Sequence, residues 1–247
     1  SSHNGEAEHI RVAAEMLAKI GCDETDYECG SQWPERIDDK SQLIKASLGP
    51  RAIHNNCSGK HAGMLAYAKH MGEPLKDYVT ISHPVQKAVA KAIDTYCDVN
   101  VSHVPHGIDG CSVPTWAIPL QNTAIGFARL FASENVIGSR IAGAVRYHPF
   151  LVAGTGRFDT NIMKAVPRLF IKVGAEGVFC GAIPHAALGF ALKIDDGAVR
   201  GAEVAIARVL ANLDCWTKEE LSAIEPFTHS TLRNWRKLEV GEARSNF

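Results

Sequence analysis

Cys57 and Lys60 stand three residues apart in Asn55-Asn56-Cys57-Ser58-Gly59-Lys60-His61-Ala62-Gly63, the densest run of reactive residue types in the chain. If Ser58 opens a helix, Cys57 sits at its N-terminus, where the dipole favours a thiolate. Lys60 then follows about one turn later on the same side and favours that anion further. A thiolate so placed serves as a nucleophile or a metal ligand. The plainer alternative is a capped loop, a small buried cysteine and a solvated lysine. A second candidate is Gly107-Ile108-Asp109-Gly110-Cys111-Ser112-Val113-Pro114. Glycines on both sides of Asp109 imply close backbone approach or positive φ angles, and an ordinary tight turn is the competing explanation. Cys57 and Cys111 could meet in space as half of a zinc site, although neither CxxC nor HExxH spacing is present.

Three weaker signals accompany these. Ala153-Gly154-Thr155-Gly156-Arg157-Phe158-Asp159-Thr160 has the flavour of a phosphate loop but matches neither standard glycine pattern, which favours a structural loop held by Arg157 and Asp159. Lys172 and Lys193 fall within apolar strand patterns, as edge residues or as amines whose burial would make them bases. Ser2 and His3 open the chain as a substrate-contacting loop or as the cap of the first helix.

Helices and strands must bring these residues together. Helical spacing of Ile10, Ala13, Met16, Leu17 and Ile20 predicts a first helix ending at Gly21, followed by a loop through Trp33-Pro34. A second helix runs from Ser58 past Met71 to Gly72, a third from Pro84 to Tyr96, and others over 119–132 and 135–147. Strands are predicted at 169–173, 178–183 and 189–194, the last ending at an Asp-Asp-Gly turn. A helix over about 201–213 and a short one starting at Thr217, with Glu220 completing a capping box, close the pattern. Three strands are few for so many helices, so further strands are expected. The pattern is α+β.

Composition narrows the function. The 247 residues are 46% hydrophobic and 21% charged, with 26 basic and 27 acidic side chains giving a formal net charge of −1. Such a balance offers no field for nucleic acid or an anionic membrane. No apolar run approaches the ~18–20 residues that span a bilayer, and the first residues lack a secretory pattern. Seven irregularly spaced cysteines fit a reducing compartment, and the expectation is a cytoplasmic enzyme.

Taken together, Ser2-His3-Asn4-Gly5-Glu6, the run Asn55 to Leu65, Gly107 to Pro114, Ala153 to Phe158 and Lys172 to Val178 resemble the rhizobial-type (class 3, asparaginase II-like) L-asparaginase family. The resemblance extends over nearly the whole chain, 1–247, as a single asparaginase domain. It implies a serine β-lactamase-like fold, helices on a mainly antiparallel sheet, in a homodimer that hydrolyses L-asparagine to aspartate and ammonia. It also implies Zn2+ held by Cys57, Lys60 and Cys111, with Asp109, His61 and Asn56 beside the ligands or the substrate. Ser2 matches a catalytic serine, with Lys193 as its lysine and Lys172 as the fallback. The family's Ser-x-x-Lys motif does not occur in these 247 residues, and the resemblance places it in a sheet-forming segment preceding Ser1. Two other functions stand against this one: an amidase using Cys57 as nucleophile, and a non-catalytic zinc-stabilised amino-acid-binding protein.

Overall fold

The helical spacing around Ala13 and Leu17 becomes α1 (Ala7–Lys19), whose buried stripe is His9, Ala13 and Leu17. The computed structural model describes residues 3–247, so Ser2 lies outside the described residues. Contacts group the chain into two compact units: residues 1–119 with 150–155, and residues 120–149 with 156–247.

In the first unit, α2 (Ile37–Lys45), α3 (Ser58–Met71) and α4 (Pro84–Cys97) follow α1, and a short hairpin pairs β1 (His106–Ile108) with β2 (Pro114–Trp116). α3 ends as expected at Gly72, which adopts a left-handed φ of 72°. α1 packs on α3. Between and around them Ala13, Leu17, Ala62, Leu65, Ala68, Tyr78 and Val85 form a core that also encloses Cys57 and Cys111. α2 falls in the stretch between the expected loop through Pro34 and the expected helix at Ser58, where no element is predicted from sequence. It has no buried residue, and its apolar positions Ile37 and Ile44 are exposed, so no core-facing stripe marks it.

Glycine at 154 has a defined task in this unit. Its φ is +119°, and an added Cβ would strike Glu6 Oε1 and Asn4 Nδ2. The close approach brings the Thr155 N–H and hydroxyl to the Glu6 carboxylate, each at 2.7 Å. Asn4 Nδ2 donates to the same carboxylate at 2.9 Å and Arg36 Nη1 at 3.2 Å. Burial alone would raise the Glu6 pKa. The bonds from Thr155, Asn4 and Arg36 outweigh it and hold the carboxyl below its usual range. Glu6, only 6% exposed, thereby fastens the segment that follows Ser2.

In the second unit, α5 (Leu120–Leu130) and α6 (Val136–Tyr147) precede the turn α7 (Pro149–Val152), where the chain passes back through the first unit. After α8 (Phe158–Ala165) comes an antiparallel meander of β3 (Phe170–Gly174), β4 (Val178–Ile183) and β5 (Leu188–Lys193). Alternation along β3 buries Ile171 and Val173, and β4 buries Phe179. α5 lies against β4 and β5, and Phe127 and Phe131 meet Phe170 with ring centroids 6.0 and 4.2 Å away. α9 (Val199–Ala211) packs on β4 and β5, and α10 (Lys218–Ile224) on α8 and α9. The Thr217–Glu220 capping box forms as expected. An exposed hairpin of β6 (His229–Arg233) and β7 (Glu239–Arg244) ends the chain.

The described residues therefore form an α+β structure with three small antiparallel sheets. Four strands beyond the three expected appear, in the β1–β2 and β6–β7 hairpins. Neither hairpin has a buried strand face that would write an alternating pattern into the sequence. No helix among the described residues is long and apolar enough to cross a membrane.

Candidate metal centre

Cys57 is the N-cap of α3, and the segment before it is clamped. Asn55, itself buried, donates through Nδ2 to the carbonyls of Cys29 and Gly30 at 2.9 and 3.1 Å. Its Oδ1 accepts the Cys57 N–H at 2.9 Å. Asn56 donates its N–H to Gln32 Oε1 at 3.1 Å, and its carbonyl accepts the His3 N–H. These bonds fix the Cys57 backbone before the helix begins.

Cys111 arrives on the β1–β2 turn. Asp109 N–H bonds to the Val113 carbonyl, and Ser112 N–H to the Asp109 carbonyl, both at 2.8 Å. The positive φ needed for this turn falls on Ser112, at 74°, and not on Gly107 or Gly110 as the flanking glycines had implied. The Asp109 side chain caps the turn through the Gly110 N–H at 2.8 Å, which lets a serine occupy the left-handed position without further glycine. The turn presses Cys111 to 3% exposure while Ile108 and Gly110 beside it remain exposed.

Cys57 Sγ, Cys111 Sγ and an Asp109 carboxylate oxygen lie within 4.8 Å of one another. Lys60, one turn along α3, brings Nζ to 3.1 Å from Cys111 Sγ and 3.7 Å from Asp109 Oδ2. The Cys111 thiol donates to Asp109 Oδ2 at 3.1 Å. Cys57 lies against the same thiol, whose single proton serves either Asp109 or Cys57; that contact lowers the Cys57 pKa and raises that of Cys111, so the pair holds one thiolate more readily than two. Burial alone would lower the Lys60 pKa, but Cys57, Cys111 and Asp109 outweigh it and keep the amine charged.

Two buried sulfurs, an amine and a carboxylate converging on one point make a donor set able to hold a metal ion. The chain belongs to the L-asparaginase II family. The family model described as L-asparaginase II matches residues 1–245, through both compact units. A search of curated proteins returned no match. Membership makes the protein an amidohydrolase of the L-asparaginase type.

The other expected asparaginase residues fall as follows. His61 is fully buried on α3, with Nδ1 2.7 Å from the Tyr78 hydroxyl and Nε2 without a hydrogen-bond partner among the described residues. It lies close enough to Cys111 to help lower that thiol's pKa. Lys172 is half-buried in β3, its amine donating to the Val173 carbonyl at 2.7 Å, whereas Lys193 ends β5 exposed and bonds the Ile194 carbonyl. Arg157 is the backbone N-cap of α8, and Asp159, 1% exposed within α8, accepts the Val173 N–H at 2.6 Å, so the expected loop ends at Arg157 and Phe158 to Thr160 are helical.

His3 does not make Ser58 a nucleophile. The Gly5 N–H donates to His3 Nδ1, so Nε2 carries the proton that reaches Ser58 Oγ at 3.2 Å. Sequence reasoning overlooked Asn55 as more than loop, and Tyr78 and Gln32 altogether. Nothing in their spacing marks them, since each acts on a partner more than fifteen residues away.

Proposed function

We propose that this L-asparaginase binds Zn2+ through Cys57, Cys111 and Lys60 and hydrolyses the side-chain amide of L-asparagine by serine–lysine chemistry. The convergence of two buried thiols with the Lys60 amine carries this proposal. Zinc accepts sulfur and nitrogen donors in a tetrahedral set that keeps a place for water or substrate. When bound it would supply fixed positive charge for placing the substrate. Lysine ligates only as a neutral amine, so loading the site releases the Lys60 proton. Asp109, at 3.7 Å, is placed to accept from Lys60 and the Cys111 thiol and to orient both donors. His61 and Asn56 take supporting positions beside Cys111 and Cys57.

By the motif resemblance Ser2 is the serine of one of two serine–lysine pairs. The hydroxyl of a serine so paired attacks the amide carbonyl of asparagine while the lysine amine takes its proton. The same proton leaves with ammonia, and water then cleaves the aspartyl ester. Lys193 is the lysine assigned by resemblance. Lys172, half-buried in β3, is the fallback.

A Cys57 nucleophile fits less well, because Cys57 is 4% exposed and its sulfur is engaged by Cys111. X-ray absorption at the zinc edge tests the centre. Two sulfur scatterers at about 2.3 Å with nitrogen or oxygen near 2.0–2.1 Å are expected. A spectrum without sulfur rules the proposed ligand set out.

A further inference from the structure

Tyr78 belongs to no motif, yet it is one of the largest fully buried side chains, at 0% exposure. Burial keeps its phenol protonated by raising its pKa well above the usual value. Its backbone carbonyl accepts Gln86 Nε2 at 2.9 Å, and Glu28 Oε1 accepts the N–H of the preceding Asp77 at 2.9 Å, so the ring is held from both sides. The Glu28 N–H donates to the Tyr78 hydroxyl oxygen at 3.0 Å. That bond occupies an acceptor direction of the oxygen and leaves the single O–H proton to be placed. Among the described residues the acceptor within reach is His61 Nδ1, at 2.7 Å. A buried hydroxyl donor without an acceptor would lose its hydrogen bond with nothing in exchange, which settles the direction of this bond.

We infer that Tyr78 is a positioning residue: by donating to His61 Nδ1 it fixes the histidine as its Nε2–H tautomer, so that a donor and not a lone pair is available to the neighbouring Cys111. His61 Nε2 is buried and makes no hydrogen bond among the described residues, while His61 lies near enough to Cys111 to help lower that thiol's pKa, so the unmet N–H is available to that sulfur when it ionises on binding a metal. A thiolate accepting such a bond is held in orientation and carries less charge, both of which matter to a metal ligand. Had Nδ1 carried the proton, Nε2 would turn a lone pair toward the sulfur and repel a thiolate. The inference rests on the metal centre proposed above for its consequence, but the tautomer itself can be read in protein with or without metal.

Long-range proton–nitrogen correlation spectra of protein labelled with 15N-histidine, recorded metal-free and with zinc, report each ring's tautomer. His61 is assigned by its absence from His61→Phe. The wild type is expected to show the Nε2–H form, and Tyr78→Phe, which keeps the ring and loses only the hydroxyl, to shift His61 away from it. Zinc affinity of Tyr78→Phe, by competition with a chelating dye, is expected to fall about tenfold. That loss should vanish in a His61→Phe background. An Nδ1–H wild type overturns the inference without any variant. So does an unchanged tautomer in Tyr78→Phe, or a loss of zinc affinity that persists without His61. If the wild type binds no zinc, the metal proposal fails while the tautomer still decides this one.

Discussion

Cys57→Ser is expected to lose the proposed zinc. Its apparent affinity is expected to fall by at least about a hundredfold, since losing even a residue that only supports a ligand costs ten- to a hundredfold. Serine keeps the shape of the side chain but offers a hydroxyl that does not ionise near neutral pH, where the cysteine's pKa is already lowered by its bond from Cys111. The remaining donors, Cys111 and Lys60, would then bond each other and Asp109 with one sulfur fewer to share. Cys22→Ser is the control, because Cys22 is a half-buried free thiol outside the metal-binding group. Dye competition and elemental analysis check both variants. Equal zinc content in Cys57→Ser and wild type would remove Cys57 from the ligand set.

The second large effect concerns stability. Gly189→Ala is expected to destabilise the protein by about 3 kcal/mol, the upper range for overpacking. An added Cβ at Gly189 would overlap the Ala124 carbonyl and meet the Ala128 nitrogen. Both are backbone atoms of α5, so the helix would have to lift from β5 and loosen the packing around Phe127 and Phe170. Gly143 in α6 has nothing within 4 Å of an added Cβ. There the same change should stabilise by about 0.5–1 kcal/mol, through helix propensity alone. Urea unfolding followed by circular dichroism separates the two. A Gly189→Ala midpoint equal to wild type would mean that α5 does not sit as closely on β5 as described.

How much of this was visible in the sequence depends on what each feature needs. Most elements with a buried face announced themselves, although α8, which buries Phe158, Ile162 and Met163, did not. α1, α3, α4 and the β3–β4–β5 meander appear within a residue or two of the limits their spacing implies. α2 and the two hairpins did not, because apolar residues such as Ile37, Ile44 and Ile108 are exposed and mark no core-facing side. At the site, Cys57 and Lys60 were legible from their spacing on one helix face. Joining them to Cys111, more than fifty residues away, required the motif resemblance, because no local rule places a hairpin turn against a helix N-terminus. Asn55 looked like a loop residue and serves as the clamp on Cys57. Tyr78 left no trace, since a single hydrogen bond to a buried histidine has no pattern of its own. Gly107 and Gly110 misled in the other direction: the strained position of the turn is Ser112.

Family membership and the thiol–amine cluster make one joint claim, that a zinc-bearing chain of this family deamidates L-asparagine. Ammonia release from L-asparagine by the full-length protein, loaded with zinc and of verified mass, tests it most directly. Release at one ammonia per aspartate formed, reduced when a chelator strips the metal and restored when zinc is returned, is the predicted result. Absence of ammonia while L-asparagine still raises the melting temperature would contradict it and identify a binding protein in place of an enzyme.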